Sequence, residues 1–130
     1  MSVTSGLSGQ VSFVVGEEDT ATALGSGDVP VLATPRMLAW LEAATVAALL
    51  PALEADSTSV GSRIELTHER PTPVGSTVVA RAEVVYVDGR LVRFSAVAEH
   101  TTPAGDSAVA ATAEITRVIV DRERFIARLG

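Results

Sequence analysis

The pattern that most constrains this chain is one long apolar helical segment followed by nothing but strands. From about Pro35 to Leu53 the residues suit a helix, interrupted only by Glu42 and by Pro51 near its end. Residues 60–70, 75–87, 91–101 and 107–120 instead alternate with a period of two and are rich in Val, Ala and Thr. Pro71-Thr72-Pro73, Asp88-Gly89 and Pro103-Ala104-Gly105-Asp106 punctuate them. Residues 10–16 read as a first strand, and residues 17–33 as a loop with room for one helical turn.

A run of antiparallel strands with one apolar face must bury that face, and the single long helix is the element available to cover it. The expectation is an α+β hotdog fold, a curved antiparallel sheet wrapped around a long central helix. It is one domain over residues 1–130, with residues 1–9 as a flexible N-terminus. A cone-shaped helix–sheet fold competes, but folds of that kind place more helix before the sheet.

Local signals refine the picture. Thr34-Pro35 predicts a helix start, with Thr as the cap and Pro in the first turn. Pro51 should kink or end that helix, and Asp121 should cap a short last helix over Arg122–Leu129. At the Asp88-Gly89 hairpin, the flanking apolar sets are Val78, Ala80, Ala82, Val84, Tyr86 and Val92, Phe94, Ala96, Ala98. A two-residue Asp88-Gly89 turn would put them on opposite faces. An odd-length loop, or a bulge at Gly89, puts them together, and the odd-length loop is the expectation.

Composition removes several functions. Zero cysteines exclude disulfides, thiolate metal sites and a cysteine nucleophile, and two histidines leave little for any metal. The formal charge of −6, with no basic cluster, argues against nucleic acid. All ten basic residues are Arg, which suggests a genome rich in G and C. The longest apolar stretch is too short to span a bilayer, and the N-terminus lacks a secretion signal. No membrane and a cytoplasmic location are therefore expected.

Four residues break the local rules. Glu42 is the only ionisable group between Arg36 and Glu54, and its helix neighbours are Leu38, Ala39, Thr45 and Val46. An unpaired carboxylate buried there would cost several kcal/mol, so it has either a partner or a task. His68 lies in phase with Ile64 and Leu66 and should face the helix. The plainer reading is a core histidine satisfied by a backbone carbonyl. The plainer reading of Thr34 is a cap and nothing more, although a helix N-terminus can also steady negative charge. Arg117 shares a face with Ile115 and Ile119, as a buried counter-ion or a snorkelling side chain. His100 also falls on an apolar phase and is given no role.

Val31-Leu32-Ala33-Thr34, Glu42 eight positions on, and Thr67-His68 a further 26 on together resemble the fluoroacetyl-CoA thioesterase family of hotdog proteins. The likeness continues through the Gly61 region, Asp88-Gly89-Arg90, Arg117 and the Glu-Arg-Phe-Ile-Ala-Arg ending, covering about residues 31–129. It implies Thr34, Glu42 and His68 as catalytic residues, Gly61 and Arg117 as residues shaping the acyl site, and a homodimer. It implies hydrolysis of a short-chain acyl-CoA with no cofactor beyond the coenzyme A of the substrate. It further implies a substrate tunnel at the subunit boundary, with His68 facing Thr34 and Glu42 of the other chain. One departure is plain: the family's fluoroacetyl-specific member has a lid Phe where this chain has Asp28, in a segment free of aromatics. That points to a more ordinary short acyl group. A non-catalytic acyl-CoA binder and an enoyl-CoA hydratase or dehydratase are the alternatives on the same fold.

Overall fold

A computed structural model describes residues 2–130. Strand β1 (Ser8–Val14) is followed by a 3-10 turn at Glu17–Asp19 and a one-turn helix α1 (Ala21–Leu24). The long helix α2 (Thr34–Leu49) comes next, then strands β2 (Ser57–His68), β3 (Thr77–Asp88), β4 (Leu91–Thr101) and β5 (Ser107–Asp121), and a short helix α3 (Arg122–Ala127). The strands form one antiparallel sheet in the order β1-β3-β4-β5-β2, so β1 and β2 are its edges. The sheet curls around α2, the expected hotdog arrangement.

Alternation explains how the sheet grips the helix. Val78, Ala80, Ala82 and Val84 of β3 face inward with Phe94, Ala96 and Ala98 of β4, onto Met37, Leu41, Ala44 and Ala48 of α2. Fully burying a side chain the size of Leu41 or Phe94 contributes about 2–3 kcal/mol. The Phe13 ring on β1 stacks on Trp40 with centroids 4.6 Å apart and planes 7° from parallel. Gly9 lets β1 lie directly on the helix backbone, because a Cβ there would sit 2.6 Å from the Ala44 carbonyl oxygen.

Several boundaries differ from expectation. Helix α2 stops at Leu49, and Leu50-Pro51-Ala52 tightens into a 3-10 turn, since Pro cannot donate to the helical ladder. Asp121 caps α3 as predicted, accepting from the Arg124 amide at 3.0 Å, but the helix ends at Ala127. The segment expected to be a flexible N-terminus is tied to the sheet. The Gly6 amide donates to the Val84 carbonyl, the Val84 amide to the Leu7 carbonyl, and Ser8 and Gly9 already belong to β1. Met1 lies outside the described residues.

The β3–β4 hairpin corrects the loop expectation. Asp88 pairs with Leu91, so the turn is the two residues Gly89-Arg90, one position later than the motif suggested. Gly89 has φ +59°, as the first position of a type II′ turn requires. The extra residue is Val85, not Gly89: the register shifts between Val84 and Tyr86, and Val85 and Tyr86 both face solvent. That bulge returns Val84 and Phe94 to one buried face. Tyr86, assigned to the apolar set, instead lies under the Arg93 guanidinium 5.1 Å away.

Candidate active site

Helix α2 and strand β2 run side by side and carry two polar groupings, one near each end. At the first, Thr34 opens the helix and His68 closes the strand. The expected capping role of Thr34 is not what the structure shows. Ala33 is the N-cap residue, Thr34 is the first helical residue, and no side chain caps this end. The Thr34 hydroxyl is therefore free to face His68, and its Oγ1 lies 2.8 Å from His68 Nδ1. His68 falls in phase with Ile64 and Leu66 as predicted, yet its partner is a hydroxyl and not a backbone carbonyl. Its other ring nitrogen, Nε2, is buried with no hydrogen-bond partner among the described residues. An orphaned buried acceptor or donor costs about 1–3 kcal/mol, and sites keep such groups for what they engage. Burial, first, and the neighbouring His100, second, push the His68 pKa below its ordinary 6.5. The imidazole is thus neutral at pH 7 and able to accept a proton.

This pair opens on a cleft of about 260 Å³, whose walls include Ala21, Ser26, Val31, Arg70 and Pro71. The cleft floor is built by the segment leading into α2. The Ala33 amide donates to the Asp19 carbonyl and the Leu32 amide to the Thr72 carbonyl, each at 2.9 Å, while Asp19 holds Arg36 at 2.9 Å. Asp28 is exposed. A larger concavity of about 620 Å³ lies on the outer sheet face over Glu65, Thr67, Thr112 and Glu114. It holds no histidine, and its acidic lining does not suit an anionic ligand.

At the second grouping, Glu42 is half-buried and paired. Arg117 Nη1 donates to Glu42 Oε2 at 3.1 Å. The guanidinium is itself anchored, Nε donating to Ser59 Oγ at 2.8 Å and Nη2 to the Ser59 carbonyl at 3.1 Å. Of the two readings of Arg117, the buried counter-ion holds. Burial lowers the Arg117 pKa while Glu42 opposes that shift, as a cation kept charged by its partner should behave. Gly61 pairs with Arg117 across β2–β5, and a Cβ there would overlap Glu42 Oε2. Glycine is needed at position 61 because the carboxylate rests on the strand backbone. Ser59 was not legible as a site residue: a Ser two positions before Gly61 on a strand carries no distinctive signal.

The structure thus brings Thr34 to His68, and Glu42 to Gly61 and Arg117, but does not join the two groupings. Glu42 lies eight helical steps after Thr34, about 12 Å along the axis. His68 lies seven strand steps after Gly61, about 23 Å. The expectation that His68 would face Thr34 of another chain is corrected, since the two meet within one chain. Among the described residues no cluster of three or more His, Cys, Asp or Glu could hold a metal ion, and no helix is long and apolar enough to cross a membrane.

Comparison with known proteins adds to this geometry. Residues 15–123 match the family model described as fluoroacetyl-CoA-specific thioesterase. The fluoroacetyl-CoA thioesterase of Streptantibioticus cattleyicolor is 43% identical over 60 residues, which is 46% of this chain and 43% of that protein; the matched stretch spans less than half of that relative. Among solved structures, a Thermus thermophilus protein described as a thioesterase superfamily member superposes with a TM-score of 0.86 at 26% identity, covering 98% of this chain and 90% of the other. A mutant of the fluoroacetyl-CoA-specific thioesterase, in complex with fluoroacetate and CoA, superposes at 0.83 with 29% identity over 95% of this chain and 99% of its own.

Proposed function

Because this chain belongs to the fluoroacetyl-CoA-specific thioesterase family, we propose that it hydrolyses a short-chain acyl-CoA to the free acid and CoA. The observation that carries the reading is the Thr34–His68 pair, with a buried, unpartnered imidazole nitrogen beside a small cleft. Glu42 supplies the attacking oxygen itself, giving a transient anhydride, or takes the proton from an attacking water. Either route needs a carboxylate held in one place, and the Arg117–Ser59 brace on Gly61 supports that. In the first route the thiolate leaves as the anhydride forms, and neutral His68 takes the proton of the water that then hydrolyses the anhydride, freeing the acid and the Glu42 carboxylate. In the second, the proton that Glu42 takes from water passes through His68 to the departing thiolate. The Thr34 hydroxyl and the open amides of the first helical turn stabilise the oxyanion.

The split between the two groupings supports a homodimeric site. Strand β2 is an edge of the sheet, with a row of unpaired backbone groups over its 12 residues. Two copies pairing antiparallel through β2, with position 61 opposite position 68, place Glu42 of one chain beside the partner's His68 and Thr34. Each dimer then holds two complete sites. The small, aromatic-free segment around Asp28 favours an ordinary short acyl group over strict selection for a fluorinated one.

The test is a thiol-release assay over acetyl-, fluoroacetyl-, propionyl- and butyryl-CoA, with Glu42→Ala and His68→Ala alone and mixed after subunit exchange. Each variant alone should be nearly inactive. The mixture should recover about a quarter of wild-type activity, since about half the dimers are mixed and each keeps one intact site. No release from any thioester by the wild type would refute the hydrolase reading. Inactivity of the mixture, with exchange verified, would refute the shared site.

A further inference from the structure

Behind the Thr34–His68 pair lies a second pair of the same chemistry. The Thr72 side chain is fully buried, and its Oγ1 lies 2.7 Å from Nδ1 of His100, a residue only 4% exposed. His100 projects from β4 on the face of Phe94, Ala96 and Ala98, where an aliphatic residue would pack without needing a partner. A buried imidazole at such a place is tolerated because it is hydrogen-bonded, and its neighbours explain what it holds. The Thr72 carbonyl accepts the Leu32 amide at 2.9 Å, and Val31 bridges to Pro73. The turn after β2 is thereby clamped onto the segment that enters α2 two residues later at Thr34. His100 grips Thr72, Thr72 grips Leu32, and Leu32 leads to the hydroxyl that meets His68.

We propose that the Thr72–His100 pair is a positioning element for the thioesterase site, fixing the junction that holds the Thr34 hydroxyl against His68. This rests on the hydrolase reading for its kinetic consequences, but the coupling to His68 is a property of the free protein. His100 also acts on His68 through its field, in the same direction as burial. The ionisable groups that share the cleft with His68 are Glu69 and Arg70, which follow it in the chain, and β5 places Ala111 opposite it. Glu69 accepts from Thr112, and Arg70 donates to the Val109 carbonyl, so both are held by β5.

The test separates the hydrogen bond from the imidazole that makes it. Thr72→Val and His100→Leu remove the bond, whereas His100→Asn keeps a polar atom at the Nδ1 position and removes the imidazole. In the two apolar variants kcat should fall about 10-fold with KM changed less than about 2-fold, as expected when a reacting group is misplaced. His100→Asn should restore kcat and raise the His68 midpoint, followed by NMR of the imidazole carbons without substrate. The same spectra show whether each variant is folded. A Thr72→Val protein with wild-type kcat and unchanged His68 resonances overturns the proposal, as does a His100→Asn variant no better than His100→Leu. If the wild type releases no thiol yet the His68 signals respond to Thr72→Val, the hydrolase reading fails while the coupling stands.

Discussion

Replacing Gly61 by Ala should abolish thiol release while leaving the protein folded, because one methyl group displaces one carboxylate. A Cβ at position 61 would overlap Glu42 Oε2 by about an ångström relative to ordinary contact, whereas Arg117 Nη1 would lie at a comfortable 3.7 Å. The carboxylate must therefore move and the guanidinium need not. The movement breaks the 3.1 Å bond from Arg117 Nη1 but leaves both bonds from Arg117 to Ser59. With the Glu42 side chain 31% exposed and Arg117 9% exposed, solvent partly replaces what is lost. The stability cost is about 1 kcal/mol, less than for a fully buried pair. For a domain of this size that is about 3–5 °C in Tm. Displacing a reacting group by about 1 Å should by contrast cost roughly 10²-fold in kcat. Thermal melting and thiol release on the same preparation measure both. Wild-type kcat in Gly61→Ala would show that the Glu42 position on this strand is irrelevant to turnover. A collapse in Tm far beyond the stated range would show that Gly61 serves folding and not the carboxylate.

Two further outcomes follow from the packing and the ionisation. Gly9→Ala should destabilise the protein by about 2 kcal/mol or more, since its Cβ meets the α2 backbone, with Ala44 O at 2.6 Å and Ala47 C at 2.9 Å, and neither can swing aside; a urea midpoint equal to wild type would contradict this. The His68 pKa is lowered in the folded chain, so below about 6.5 the unfolded state binds the proton more readily. Stability should fall as pH drops through 6.5 and level off below the folded value, and His68→Gln should flatten that part of the profile.

Much of the fold was legible because burial imposes a period on the residues that serve it. The alternation along β4 marks both its ends correctly, and Pro51 marks where α2 stops. The hairpin was misplaced by one residue because the apolar pattern requires a phase change without saying where it occurs. A bulge at Val85 satisfies it as well as one at Gly89. Thr34 was singled out partly as a cap, yet Ala33 takes that position and the hydroxyl turns to His68. The Glu42–Arg117 pair was half visible, as a carboxylate needing a partner and an arginine on an inward face. Ser59 was not, since only the folded register puts it under the guanidinium. The distance between the two groupings is also a property of the helix and strand lengths, which no spacing of residue types reveals.

The stack of Phe13 on Trp40 has a practical consequence. Trp40 is the single indole in the chain, and it sits on α2 between Thr34 and Glu42. Its emission is therefore a label-free optical gauge of how the first strand seats on that helix. A substitution that peels β1 away should alter the spectrum before the rest of the sheet melts, and one that only disturbs the far edge should leave its colour unchanged.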